Sequence, residues 1–471
     1  MIKVEKLSYP ILIIAHLIMA LTVVVVPFTA TIFFYLITGY FTLRIFSNAD
    51  RAHEALLAAC YLTCWEVFLR MNNVLFFYEM IKYLVLIFMS LGIFYRGFSI
   101  KSLPYVIYLL LMIPSIVVAS QAIPLGESLR KAVAFNLSGP VTLGVVAIYC
   151  YQRNIEVKRL DEILKISVGP IAMLMLYLFL VTPNVRDIVT STASNFALSG
   201  GYGPNQVATA LGIGMFICFA RFLRERDFWT NVIDITLLIG MTYRAWLTFS
   251  RGGVITAAAM IISVVITIFI LKRSSFRVSM LPKLVVLAFG VVLAWGFTSL
   301  VTKGLIDKRY ANQDAAGRIK EDLSTGREEL ITIELEAFAE NPIAGIGAGQ
   351  VKYYRAKKDG ILAASHNETS RLLSEHGAIG ILSLLVLIFT PLIYRFSHRR
   401  NTYFYAFLIF WFATINHSAM RIAAPSFIYG LALLNVIPDR KKKRSIAKLN
   451  RWEKRGFRRS TSVPIIATPS T

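Results

Sequence analysis

The sequence predicts an all-α polytopic membrane protein with about fourteen transmembrane helices and one large extracytoplasmic loop containing short helices. Three observations carry that expectation. The 471-residue chain is 56% hydrophobic and only 16% charged, with a mean hydropathy of +0.61, so the bilayer rather than water must be its solvent. Apolar windows long enough to cross about 30 Å of hydrocarbon recur along it. Lysines and arginines then collect in alternate gaps between those windows, as cytoplasmic loops require.

The windows run over residues 10–27, 29–46, 54–69, 75–94, 104–121, 132–151, 167–183, 206–220, 232–249, 253–271, 284–301, 376–394, 402–419 and 424–437. Glu66 interrupts the third, and the last is short unless its apolar flank at Ile422–Ala424 is included. Threading from a cytoplasmic N-terminus puts Arg153, Lys158, Arg159 and Lys165 inside, then Arg221, Arg224 and Arg226, then Lys272, Arg273, Arg277 and Lys283, then Arg395, Arg399 and Arg400. A basic tail from Arg440 to Arg459 follows, also inside. The long loop 302–375 falls outside, with 11 basic and 12 acidic residues nearly in balance.

The net charge of +23 therefore sits beside anionic headgroups, which makes membrane lipids the expected partner and excludes nucleic acid. All four cysteines, Cys60, Cys64, Cys150 and Cys218, lie in apolar windows, so neither disulfide stapling nor a Cys-ligated metal is expected. The N-terminus has no small-residue cleavage site and is read as an uncleaved first helix.

Polar residues near the outer ends of the windows mark where chemistry can occur, because ionisable groups at such depths usually face a cavity or a partner. They include Asn205, Arg244, Ser250, Arg251, His417 and Arg421. Glu79 and Lys82, three residues apart, are expected to pair. In Ser250-Arg251-Gly252-Gly253 the paired glycines would let a substrate approach the backbone beside an exposed guanidinium. Two helix starts are visible in the long loop. Thr325-Gly326-Arg327-Glu328 and Ser365-His366-Asn367-Glu368 both fit capping boxes, and each sets a candidate in a first turn, where free N–H groups attract anions. Arg327 would be compensated there by a phosphate, and the same field favours a neutral His366 able to accept a proton. Gly345-Ile346-Gly347-Ala348-Gly349 follows no predicted strand and is expected to be a turn returning the loop to the membrane.

These motifs, together with Gly203-Pro204-Asn205, Asn341-Pro342-Ile343-Ala344-Gly345-Ile346-Gly347 and Glu375-His376-Gly377-Ala378-Ile379-Gly380, resemble the O-antigen ligase and polymerase superfamily in order, spacing and placement. The resemblance covers about residues 200–385. It implies a bacterial inner-membrane glycosyltransferase that moves a glycan from undecaprenyl diphosphate to an acceptor sugar hydroxyl, a lipid A core for a ligase or a second lipid-linked glycan for a polymerase. The family's important arginine and histidine positions correspond to Arg251, Arg327 and His366, with Asn205, Ser250, Asn367, His417 and Arg421 as substrate-binding candidates. The expected division is 1–200 for N-terminal transmembrane helices, 201–385 for the ligase-like domain, 386–438 for C-terminal helices and 439–471 for the cytoplasmic tail.

No Asp-x-Asp motif occurs, and arginines can neutralise a diphosphate bidentately, so no cofactor or metal is expected. Direct attack would invert the anomeric carbon. The alternative from another class is a transporter or flippase of lipid-linked oligosaccharide, which should show repeat symmetry and midplane polar residues in both halves.

Overall fold

The computed structural model describes residues 7–122, 129–182, 184–225, 227–271, 274–320, 327–360 and 365–439. Each apolar window except the last is largely helical. The N-terminal half supplies α1 (Tyr9–Val25), α2 (Thr29–Asn48), α3 (Glu54–Met71), α4 (Met80–Arg96), α5 (Leu103–Leu111), α6 (Ile113–Ala122), α7 (Leu129–Cys150) and α8 (Val157–Val181). After the short α9 (Val185–Ile188) come α10 (Pro204–Arg224), α11 (Phe228–Leu247), α12 (Arg251–Leu271) and α13 (Ser274–Val301). The long loop contains α14 (Leu305–Tyr310), α15 (Arg327–Glu340), α16 (Val351–Asp359) and α17 (Glu368–His376), and the chain closes with α18 (Ala378–Ser397), α19 (Phe404–His417) and α20 (Ala424–Ala432).

Among the described residues, eight stretches are long and apolar enough to cross a membrane by length and composition. The window at 104–121 is broken between α5 and α6, where Pro114 supplies no N–H to the preceding turn. The last window differs from expectation more. At nine residues α20 rises only about 13 Å, and the chain continues as strand β2 (Asn435–Ile437).

β2 pairs in parallel with β1 (Asn154–Glu156), Ile155 facing Val436. That pairing puts the segment after α7 and the segment after α20 at the same end of the bundle, so an even number of crossings must separate them. Other basic segments join that end. Arg159 Nε donates to the Ala52 carbonyl at 2.7 Å, Arg153 Nη2 to Gly97 O at 2.7 Å, and Arg224 Nη1 to Asp161 Oδ1 at 2.7 Å. Lys283 Nζ caps the end of α10 at the Phe222 and Glu225 carbonyls, 2.6 and 2.7 Å away. The motif-bearing loops gather at the opposite end, where Thr192 Oγ1 donates to Gln313 O and the Ala348 amide donates to Ser115 O.

Helix α10 lies at the centre, with 94% of its apolar window buried, and packs on α8, α11 and α12. Its approach to α12 depends on glycine: a Cβ at Gly253 would stand 2.6 Å from both the Ala208 carbonyl oxygen and the Thr209 nitrogen. This crossing fixes the start of α12, and with it Ser250 and Arg251, against the start of α10.

Candidate functional site

The first cluster forms where α10 and α12 begin. Ser250 Oγ donates to Asn205 Oδ1 at 2.7 Å, and Arg251, half-buried at the first position of α12, donates through Nη1 to Asn312 Oδ1 in the long loop. His417, at the last position of α19, completes the group, its Nδ1 at 2.8 Å from Ala413 O and its Nε2 at 3.4 Å from Thr209 Oγ1. The glycine pair has a different role from the one expected. A Cβ at Gly252 would lie 2.7 Å from His417 Cγ, so the missing side chains admit the imidazole and the α10 backbone rather than a substrate.

The second cluster surrounds His366, which shares a small pocket with Ser365, Asn367, Asn416 and with Leu330, Ile331 and Glu334 of α15. The capping here corrects the sequence expectation. Asn367, not Ser365, is the N-cap of α17: its Oδ1 accepts from the Thr369 and Ser370 amides at 2.9 and 3.2 Å. An asparagine reaches these N–H groups as well as a serine does, and Ser365 Oγ instead donates to Asn367 O at 2.9 Å. His366 therefore precedes the helix instead of lying in its first turn. Thr325 and Gly326 of the other proposed box, and the Arg327 side chain, lie outside the described residues; the Arg327 backbone opens α15, one turn before the pocket-lining Leu330 and Ile331.

Thr369 Oγ1 donates to Asn416 Oδ1 at 2.8 Å, so the end of α19 joins the two clusters: Asn416 faces the His366 pocket and His417 faces Thr209 of α10 and Gly252 of α12. Arg421 belongs to the second cluster through a 3.0 Å bond from Nη2 to the Ser365 carbonyl.

Sequence reasoning missed a set of buried charges beneath these groups. Arg371 is enclosed by two carboxylates on its own helix, with Nε 3.2 Å from Glu368 Oε2 and Nη1 2.6 Å from Glu375 Oε2, and it also donates to Asn136 O of α7 at 3.1 Å. Arg355 of α16 pairs with Glu334 of α15, which also accepts from Ser370 Oγ. In α3, Glu66 accepts from Arg70 and from the Ala423 amide at 2.6 Å, while Arg70 donates to the Tyr202 hydroxyl and the Arg421 carbonyl, both at 3.2 Å, and stacks on Tyr78 at 3.8 Å. The i,i+4 spacing of Glu66 and Arg70 was the available signal. Lys82 donates to Ser138 Oγ at 3.2 Å rather than pairing with Glu79, and Arg244 is used to hold Thr182 Oγ1 and the Leu198 carbonyl.

Residues 236–385 match the family described as O-antigen ligase. No curated protein and no solved structure matches the chain significantly. The matched segment supplies Ser250, Arg251, α15, His366, Asn367 and the Arg371 cluster. Asn205, His417 and Arg421 come from outside it, as do Glu66 and Arg70, which clamp the α19–α20 connection.

The Gly-rich run, Gly345 to Gly349, is a turn, docked on the end of α17 and followed by α16. The Ile346 amide donates to Ser374 O at 2.9 Å and the Gly347 amide to Glu375 O at 3.1 Å, with Gly345 and Gly347 both at positive φ. Burial raises the Glu375 carboxyl above its ordinary value against the opposing charge of Arg371, and burial lowers Arg421. His376 is pushed down to about 3, first by burial and then by the Arg371 charge, and among the described residues neither of its ring nitrogens has a hydrogen-bond partner. The gathered carboxylates, Glu334, Glu368 and Glu375, are thus all engaged by arginine.

Proposed function

We propose that this protein is a glycosyltransferase of the bacterial inner membrane, with both termini cytoplasmic, which transfers a glycan from undecaprenyl diphosphate to an acceptor sugar hydroxyl at the outer face. One observation carries this reading: the O-antigen ligase match falls on the segment whose Arg251, His366 and α15 start lie at the end of the bundle opposite the basic loops. In the reaction the bond between the anomeric carbon and the diphosphate oxygen breaks, and a bond from that carbon to the acceptor oxygen forms. Arg251 and Arg327 neutralise the charge developing on the undecaprenyl diphosphate leaving group. His366 takes the acceptor's proton. Asn205, Ser250 and His417 orient substrate beside Arg251, and Asn367 and Arg421 fix the segment that carries His366. The acceptor is a lipid A core or a second lipid-linked glycan.

The test is incubation of the purified chain with undecaprenyl-diphosphate glycan and each acceptor class, with products resolved by mass. Failure to extend any acceptor, with the donor left intact, would defeat the proposal. Arg251→Lys keeps the charge but loses the planar fork, so transfer should fall by about 30- to 1000-fold, equivalent to roughly 2–4 kcal/mol, at unchanged expression. Chelator should leave the wild-type rate unchanged; loss on chelation with recovery on adding magnesium would mean that a metal performs the arginines' task.

Orientation is tested separately. With Cys60, Cys64, Cys150 and Cys218 replaced, a cysteine at exposed Lys357 should react with an impermeant thiol reagent in intact spheroplasts. One at exposed Arg400 should react only after permeabilisation. Labelling of both from the same side would overturn the placement of the site.

A further inference from the structure

At the basic end of the bundle, the last turns of α12 and α18 flank a groove of about 540 Å³ that the transfer chemistry does not use. Its walls are apolar and open: Ile270 is 71% exposed and Ile393 66%, with Leu271 and Phe389 beside them. Both flanking helices are long and apolar enough to span a membrane, so the groove faces hydrocarbon along its length and ends at headgroup level.

Two arginines, Arg395 and Arg399, line that end, and among the described residues no carboxylate lines the groove. Arg395 is a fixed cation rather than a snorkelling one. Its Nη1 donates to His398 O at 3.2 Å and Asn401 O at 3.0 Å, and its guanidinium lies 4.9 Å from the Phe404 ring centroid and 5.2 Å from that of Tyr405. Arg399 is exposed beside it, with Nε donating to Phe396 O at 3.2 Å. An apolar slot ending in two guanidiniums matches a molecule with a long hydrocarbon chain and a negatively charged head.

We propose that this groove binds a phospholipid of net negative headgroup charge, with one acyl chain between Ile270 and Ile393 and its phosphate at Arg395 and Arg399. The polyprenyl donor is a poorer fit. The 21-residue helix α12 places Leu271 about 30 Å from Arg251, so a diphosphate held at Arg251 cannot also reach Arg395. The groove proposal is independent of the transferase reading.

Native mass spectrometry of the full chain, extracted in mild detergent and supplied with phosphatidylglycerol, phosphatidylcholine or undecaprenyl diphosphate, tests it. Wild type should retain phosphatidylglycerol over phosphatidylcholine by roughly tenfold or more. Arg399→Gln should reduce that preference and Ile393→Trp should block retention by filling the slot. Both positions are exposed, so the variants should fold, whereas Arg395 holds a loop and is left intact. Equal retention of the two phospholipids, or preference for phosphatidylglycerol surviving both variants, overturns the proposal. Stronger retention of undecaprenyl diphosphate, lost in Ile393→Trp, overturns it in favour of the donor.

Discussion

Arg371→Ala is expected to destabilise the outer end of the bundle by about 3–5 kcal/mol, because it leaves two buried carboxylates without their cation. Glu368 and Glu375 are each 1% exposed, and α17 is tied to α7 through the bond from Arg371 to Asn136 O. Arg371→Lys should recover only part of the loss, since one ammonium cannot reproduce a fork that reaches both carboxylates and a carbonyl. The pH dependence gives the sign. Burial already raises the folded-state Glu375 above its ordinary value, and Arg371 is the largest influence opposing that rise. Removing Arg371 raises it further. A carboxyl whose folded pKa exceeds its unfolded one costs stability once the pH rises above the unfolded value, and the cost is absent below it. The deficit of Arg371→Ala in thermal unfolding should therefore grow from acidic to neutral pH. A melting temperature equal to wild type, or a deficit independent of pH, would show that the cluster is solvated and not a structural anchor.

The distribution of helices was legible because hydrophobicity is a local sum: twenty apolar residues in a row have few alternatives to a buried or membrane-spanning helix. The shared end of the basic loops was equally legible, since the charges themselves mark it. What could not be read was pairing between helices. Glu66 looked like a blemish in its window, yet it accepts from Ala423, more than 350 residues away in sequence. Gly252 and Gly253 looked like room for a substrate, and only the packed structure reveals that His417 and α10 occupy it. The misplaced cap has a narrower cause. Ser365 and Asn367 are both competent N-caps two residues apart, and a single sequence does not say which of them the loop delivers to the helix end.

That correction bears directly on the proposed base. With Asn367 capping α17, His366 stands just before the helix and beside α15, and its surroundings are built from several parts of the chain: Glu334 of α15, Asn416 of α19, and the Ser365 carbonyl held by Arg421. The Arg421 carbonyl is in turn held by Arg70. Positioning of the His366 segment thus depends on α3, far outside the matched segment 236–385, through backbone carbonyls that leave no sequence signature.

His366→Ala is accordingly expected to lower the transfer rate by about 10²- to 10⁴-fold, with little loss of donor binding, since the proposed mechanism assigns the diphosphate to arginines rather than to the imidazole. The competing bases on the neighbouring helix are weakened by their surroundings. Glu368 is enclosed by Arg371, and His376, pushed down to about 3, has too little proton affinity to take a hydroxyl proton effectively. An imidazole base must be neutral to act, so the wild-type rate should rise with pH as His366 loses its proton, and the residual activity of His366→Ala should lack that limb. The measurement is single-turnover transfer across pH, paired with donor affinity for both proteins. Near-normal turnover in His366→Ala would remove His366 from the chemistry, and parallel loss of donor binding and rate would reassign it to substrate positioning. Glu66→Gln separates the base from its support: it weakens the clamp on the α19–α20 connection without touching the imidazole, so it should lower the rate while the pH limb remains.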